Sequence, residues 1–133
     1  MQLYPKAFIK SVTASDINGS VSNQHELHGV KELEGLFGVI PKGVAGTISY
    51  SATIRVGNSG PKSPINITWY NARANNPDRH EYRLYYAANG APIVRQLSSG
   101  DDLLIGKTIS GDIEIIIFPS QPGNYTNWTP ITI

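Results

Sequence analysis

The feature that most constrains this chain is a long stretch in which apolar and polar side chains alternate strictly. Its two faces consist of Ile48, Tyr50, Ala52, Ile54 and Val56 on one side and Ser49, Ser51, Thr53 and Arg55 on the other. Successive side chains of a β-strand point to opposite faces of a sheet, whereas a helix repeats every ~3.6 residues. Residues 47–56 are therefore predicted to form a strand with one face in a core and the other at the surface.

Shorter runs bounded by Gly, Pro, Asn and Ser predict further strands, so the domain is expected to be mainly β. These strands are predicted around residues 8–12, 65–69, 80–87, 102–109 and 112–118. The last run is almost continuously apolar, which is typical of a central strand. The helical signal is confined to residues 29–37, where four apolar residues have helical spacing before Gly38. One short helix is expected there.

The composition fits one domain with a single core, because 40% of the 133 residues are hydrophobic. The chain has no cysteine, which excludes disulfides, thiolate zinc sites and cysteine nucleophiles and favours a reducing cytoplasm. Pro5, Lys6 and Lys10 interrupt the N-terminal segment, so neither a signal peptide nor a membrane anchor is predicted. We treat residues 1–133 as a single domain. Residues 119–133 are expected to form a closing strand or the start of a linker.

The net charge is only +1, but the charges are unevenly distributed. Residues 55–95 hold six basic and two acidic residues, a local charge of +4, so the remainder carries −3. All five arginines lie in this segment. Because the planar guanidinium matches phosphates and guanine edges, the segment favours contact with nucleic acid. A basic strand pair that is only a solvated surface is the alternative.

Residues that could support catalysis or bind a metal are few. An Asp-Asp pair follows Ser-Ser-Gly, a context typical of a turn. No lysine follows Asp112 and Glu114 at the spacing of a metal-dependent nuclease core. The His25-x-x-His28 spacing suits metal ligands on one helical turn, so a small metal-dependent nuclease stays open as an alternative. We predict no catalytic residue, no cofactor and no metal.

Residues 69–83 combine side chains that read DNA bases with polar groups suited to the DNA backbone. Arginine can hold the O6 and N7 atoms of guanine, and glutamate can accept from the cytosine amino group. In a regular strand, Glu81 and Arg83 would point away from the face of Tyr82. A surface ion pair between Glu81 and Arg83 is the structural alternative. The residues interpreted as base readers are Arg73, Arg79, Glu81 and Arg83, with Asn71, Asn76 and His80 as phosphate or arm contacts.

This segment resembles the Tyr-Asn-Ser-Arg … Arg-Asn-Glu-Lys-Arg stretch of the N-terminal effector domain of EcoRII-type restriction endonucleases. That domain belongs to the plant B-three-like DNA-binding pseudobarrel superfamily. The two stretches align without a gap, and the family's DNA-contacting positions fall on Arg73, Arg79, Glu81 and Arg83. The chain departs at Ala72, where the family has serine, and at Pro77 and Tyr82, where the family has lysine.

A second stretch, Thr13-Ala-Ser-Asp-Ile-Asn-Gly-Ser … Gln24-His25, is similar to the family's Ser-Ala-Asn-Asp-Thr-Gly … Gly-His-Gln sequence. By this resemblance, His25 lies in the counterpart of the family's other DNA-contacting segment. The polar residues assigned by this resemblance to arm or phosphate contacts are Asn18, Ser20, Ser22, Asn23, Gln24 and His25. Weaker similarity continues to about Phe118.

The resemblance implies a B-three-like, seven-stranded open pseudobarrel with one or two short helices. It also implies that the domain grips double-stranded DNA in the major groove, with a first arm at residues 13–28 and a second arm at residues 71–83. The expected function is recognition of a CC(A/T)GG-type site by a monomeric effector domain without catalytic residues. Its expected setting is a prokaryotic cytoplasm, with fusion to a nuclease domain and no membrane contact.

The chief rival is a carbohydrate- or peptide-binding β-sandwich, which several of the aromatic residues suggest. They include Trp69, Tyr70, Tyr85, Tyr86, Tyr125 and Trp128. Trp69, Tyr82 and Tyr86 lie on apolar faces of the predicted strands, so we expect them in the core and not on a binding platform.

Overall fold

The computed structural model describes residues 6–13, 26–27, 30–41, 46–72, 81–86, 97–119 and 124–131, and this part of the chain is mainly β. Its strands are β1 (Lys6–Ser11), β2 (Glu26–Leu27), β3 (Thr47–Val56), β4 (Ser63–Asn71), β5 (Tyr82–Tyr86), β6 (Asp102–Lys107), β7 (Ile113–Phe118) and β8 (Thr129–Ile131). A 3-10 turn, Lys31–Leu33, runs directly into a one-turn α-helix, α1 (Glu34–Phe37). The predicted fold class is confirmed.

The strands form one mixed sheet that curls into a half-barrel, in the order β2-β5-β4-β3-β7-β6-β1-β8. Neighbouring strands are antiparallel except β3 and β7, which run parallel with Ala52 opposite Ile113. Because β2 contributes only two residues, seven strands build most of the half-barrel. β8, from the segment expected to close the barrel or begin a linker, extends the sheet beside β1.

The alternation in β3 places its apolar face in the core as predicted, with Ala52 and Ile54 buried. The same face continues across β4 and β5 and meets the helical segment. β6 and β7 are buried on both faces, which confirms the prediction of a central strand for residues 112–118. On their outer face Leu104 and Ile116 pack with Tyr125 and other apolar residues in a second, smaller cluster. β6 ends at Lys107, so the expected extension to Ile109 is wrong: residues 109–110 form a turn.

The helix is shorter and more tightly wound at its start than its apolar spacing predicts. Its first turn is 3-10, and no side chain caps the N-terminus at Val30. Gly35 weakens the α-helix, since glycine costs about 1 kcal/mol relative to alanine inside a helix. A Cβ atom there would lie 3.2 Å from the Phe8 ring, so β1 packs close against the glycine. The helix ends at Gly38, whose φ of 100° suits glycine.

Three aromatic side chains fix the end of the helix to β3, β4 and β5. Tyr50 donates to the Phe37 carbonyl (2.9 Å), and the Trp69 indole N–H donates to the Gly38 carbonyl (2.9 Å). The Tyr82 hydroxyl accepts from the Ile40 N–H (2.8 Å) and donates to Glu34 Oε2 (2.6 Å). These bonds satisfy backbone groups that would otherwise be left without partners at a helix terminus.

No helix in the described ranges is long and apolar enough to cross a membrane.

Burial, reinforced by the hydrogen bond to Glu34, raises the pKa of Tyr82 to about 12 from the ordinary value of 10.0. The folded protein therefore keeps a proton that the unfolded chain loses. The resulting stability is fully present below about pH 10 and is lost as the pH rises toward 12. We expect the free energy of unfolding, measured by urea titration, to fall across this range. Tyr82→Phe should be less stable at neutral pH but show a flatter decline, and an unchanged decline would contradict this assignment.

Candidate nucleic-acid interface

The structure describes three of the residues predicted to contact DNA: Asn71, Glu81 and Arg83. Outside the described residues lie Arg73, Arg79, Asn76, His80, Asn18, Ser20, Ser22, Asn23, Gln24 and His25, together with His28 of the alternative metal site. The described three lie where β4 ends and β5 begins, on either side of the connection formed by residues 73–80.

The base of this connection is held by two hydrogen bonds. The Ala72 N–H donates to the Glu81 carbonyl (2.7 Å), and the Glu81 N–H donates to Asn71 Oδ1 (3.2 Å). Asn71 is only 4% exposed. In this structure its carboxamide supports the backbone of Glu81 instead of presenting an amide at the surface.

Glu81 and Arg83 point to the outer face of the sheet, whereas Tyr82 and Leu84 are buried, as the alternation predicts. Arg83 Nη2 lies 3.2 Å from Glu81 Oε2. The arginine side chain is 22% exposed and the glutamate side chain 40%, so this ion pair is accessible from outside. A fully exposed ion pair contributes about 0–1 kcal/mol to stability, and this pair is partly exposed.

The outer face of β5 also carries an aromatic side chain. Tyr85 is 38% exposed and lies two residues beyond Arg83, while Tyr70 of β4 lies opposite Arg83. The Ser49 and Thr68 hydroxyls are 3.4 Å apart on the same face. Polar hydrogen-bonding groups and a partly exposed ring thus surround the Glu81–Arg83 pair.

The two predicted arms join β5 at opposite ends. Residues 73–80 lead into Tyr82 at the start of β5, where Asn71 is its neighbour. The first arm leads into β2 at Glu26, which pairs with Tyr85 near the end of β5. Arg83, at the end of the predicted second arm, and Tyr85, opposite Glu26 of the first arm, therefore both lie on the outer face of β5.

Two lysines that the sequence patterns did not single out lie directly opposite each other. Lys6 begins β1 and pairs with Lys107 at the end of β6. Both line a surface cleft of about 280 Å³ beside the turn that contains Ile109 and Gly111. Like charges directly opposite in an antiparallel pair are destabilising, so an anion in this cleft would be bound favourably. The strand directions place this cleft at the same end of the sheet as the end of β4 and the start of β5.

The acid pairs have partners that hold them in place. Glu114 is buried, with Oε1 3.6 Å from Arg55 Nη1 and Oε2 3.2 Å from Lys62 Nζ. Asp112 Oδ2 accepts from the Ser110 hydroxyl (3.0 Å). Glu114 thus ties β7 to β3 and to the β3–β4 turn.

The Asp-Asp pair is divided between a turn and a strand. Asp101 Oδ2 accepts from the Ser98 N–H (2.9 Å), as in the predicted turn, whereas Asp102 begins β6 and accepts from the Ser11 hydroxyl (2.6 Å). Among the described residues, no three His, Asp or Glu side chains are grouped so that they could hold a metal ion.

Trp69, Tyr82 and Tyr86 are buried, as expected for core residues, and Trp69 stacks on Tyr82 with ring centroids 4.3 Å apart. They are therefore not available as a binding platform.

No protein-family model and no curated protein matches this chain. The resemblance to the EcoRII-type effector domains stays a prediction from the residues that carry it.

Proposed function

We propose that this domain binds double-stranded DNA sequence-specifically, with the outer face of β5 and the adjoining arms in the major groove. The observation that carries the proposal is the Glu81–Arg83 pair, which is accessible on that face and lies directly beside residues 73–80. Arg73 and Arg79 in that connection add two further guanidinium groups.

The charge pattern explains how a carboxylate could be useful in a DNA groove. Phosphates repel a lone carboxylate, so Glu81 would be tolerated there only if arginines hold it and a cytosine amino group donates to it. Arg83, 3.2 Å from Glu81, supplies the first condition and could itself contact guanine. The pair could therefore read a cytosine and a neighbouring guanine together.

The finer assignment rests on the resemblance described above. We propose a CC(A/T)GG-type target, binding as a monomer, and a role as a non-catalytic effector domain fused to a nuclease domain in a prokaryotic cytoplasm. Double-stranded DNA is the proposed partner, and neither a cofactor nor a membrane is required.

A second candidate is the binding of a neutral carbohydrate to the same outer face. It is favoured by the exposure of Tyr85 beside Thr68, because an aromatic ring next to hydroxyl groups suits a sugar. A neutral ligand would bind with little dependence on salt, whereas DNA binding releases counterions.

The proposal is tested by selecting binding sites from random duplexes and then titrating the selected duplex. We expect a defined sequence related to CC(A/T)GG and no cleavage in the presence of magnesium. The log-log slope of affinity against salt should be about −4 to −7, corresponding to roughly five to eight phosphate contacts. Failure to enrich any sequence, or a slope near zero, would contradict sequence-specific DNA binding. Cleavage by highly purified protein would contradict the non-catalytic role.

Alanine variants of Glu81 and Arg83 should have different effects on DNA binding, which separate the loss of a base contact from the loss of a charge. Glu81→Ala should weaken binding to the selected duplex by about 1–3 kcal/mol, because one base contact is lost. Its binding to an unrelated duplex should be unchanged or slightly tighter, because a repulsive charge is removed. Arg83→Ala should weaken both.

Competition titrations at one fixed salt concentration measure these differences. An equal loss for both duplexes in Glu81→Ala, or no loss in either, would mean that Glu81 is only a surface ion-pair partner.

The lysine cleft should contribute phosphate contacts without sequence preference. Replacing Lys6 and Lys107 together by glutamine should reduce the steepness of the salt slope by about 1–2, since each phosphate contact contributes roughly 0.9. Selected and unrelated duplexes should be affected alike. The single variants Lys6→Gln and Lys107→Gln should each reduce the slope by about half as much, and Lys31→Gln, which removes an exposed lysine outside the cleft, is their control. A double variant whose slope equals that of the unmodified protein would place the DNA elsewhere.

A further inference from the structure

Tyr82 occupies an unusual place between the two proposed base readers. Its backbone lies between Glu81 and Arg83, whose side chains point outward, while its own side chain points into the core. Contacts that hold the Tyr82 side chain therefore also restrain the backbone from which both outward side chains project. The contacts of the Tyr82 ring inside the core therefore bear on the positions of Glu81 and Arg83 on the outer face.

The inward contacts of Tyr82 reach the helical segment. The hydroxyl donates to Glu34 Oε2 at 2.6 Å and accepts from the Ile40 N–H at 2.8 Å, with the Ile40 carbonyl oxygen 3.2 Å away. The ring stacks on Trp69 with an interplanar angle of 15°. The ring face and the hydroxyl are thus both held, and a bond to a charged acceptor is stronger than one between neutral groups.

The segment that Tyr82 contacts also follows the first arm in sequence. β2 lies within the predicted first arm, residues 13–28, and residues 30–41, which contain Glu34 and Ile40, follow that arm in sequence. Tyr82 itself immediately follows the second arm's Glu81. One hydroxyl therefore connects the element after the first arm with the strand that carries the proposed base readers.

We propose that Tyr82 is a positioning residue that holds Glu81 and Arg83 in register with the segment following the first arm, through its hydrogen bonds to Glu34 and Ile40. This inference rests on the proposed DNA-binding function. Tyr82 does not contact DNA itself, because its side chain is buried.

Tyr50 provides a matched comparison, because its hydroxyl binds the same end of the helix. Its hydroxyl donates to the Phe37 carbonyl at 2.9 Å, so it also fixes the helix to the sheet. Tyr50 lies on β3, however, which is separated from β5 by β4 in the sheet. Removal of its hydroxyl should loosen the helix end without releasing the backbone of Glu81 and Arg83.

The experiment compares Tyr82→Phe with Tyr50→Phe, using the selected duplex and an unrelated duplex at a temperature where both variants are folded. We expect Tyr82→Phe to reduce the ratio of specific to non-specific affinity by roughly five- to tenfold, toward the lower end of the loss of one base contact. Tyr50→Phe should leave this ratio unchanged. Glu34→Ala should behave like Tyr82→Phe, whereas Glu34→Gln, which keeps an acceptor oxygen, should largely preserve the ratio.

Amide hydrogen exchange in the absence of DNA gives a second readout. The amides of residues 81–83 should exchange faster in Tyr82→Phe but not in Tyr50→Phe. Unchanged specificity in Tyr82→Phe, an equal loss in both tyrosine variants, or unchanged exchange at residues 81–83 would overturn the positioning role. If the unmodified protein prefers no sequence, the proposed function fails first and the positioning role fails with it.

Discussion

The parallel pairing of β3 with β7 joins the two halves of the half-barrel. On one side of it lie β2, β5, β4 and β3, and on the other β7, β6, β1 and β8, each half antiparallel within itself. A parallel pair requires a crossover, so its partners come from distant parts of the chain. Ala52 and Ile113 begin the pairing from the core side, and Glu114 reinforces it on the outer side through Arg55. The alternation in β3 makes this possible, because one face supplies the core while the other supplies the arginine.

The two halves differ in their outer faces, and this difference locates the candidate interface. β6 and β7 are buried on both sides, with Leu104 and Ile116 packed outside the sheet. The outer face of β3, β4 and β5 remains polar and partly exposed. A strand buried on both faces leaves little surface for a ligand, so the hydrophilic outer face of β3, β4 and β5 is the one available on the sheet.

The sequence patterns predict the strands that depend on local periodicity, but they do not predict the turns and contacts that depend on residues distant in the chain. Residues 47–56 formed β3 with the predicted bounds because their alternation is long enough to exclude a helix. The apolar pattern predicts a strand that extends to Ile109. Instead, the Thr108 N–H donates to the Asp112 carbonyl (2.8 Å) and closes a turn, which the pattern of apolar residues does not indicate. The pairing of Lys6 with Lys107 depends on the register of β1 with β6. Such a contact between distant segments has no local signature. Of the candidate site, the sequence predicted the outward direction of Glu81 and Arg83, but not the bonds that hold Tyr82.

The register of β5 is what makes an outward Glu81 and Arg83 possible at all. A shift of one residue would turn every side chain of the strand to the opposite face and place both charges in the core. Buried apolar residues oppose such a shift, but Leu84 could be replaced in the core by another hydrophobic side chain at modest cost. Tyr82 is more specific, because only its own hydroxyl reaches both Glu34 and Ile40 while its ring stacks on Trp69. A lysine at this position could not make the same inward contacts, since it has no ring to stack and no oxygen to accept a bond. The inward contacts of Tyr82 thus oppose a register shift that would turn Glu81 and Arg83 toward the core.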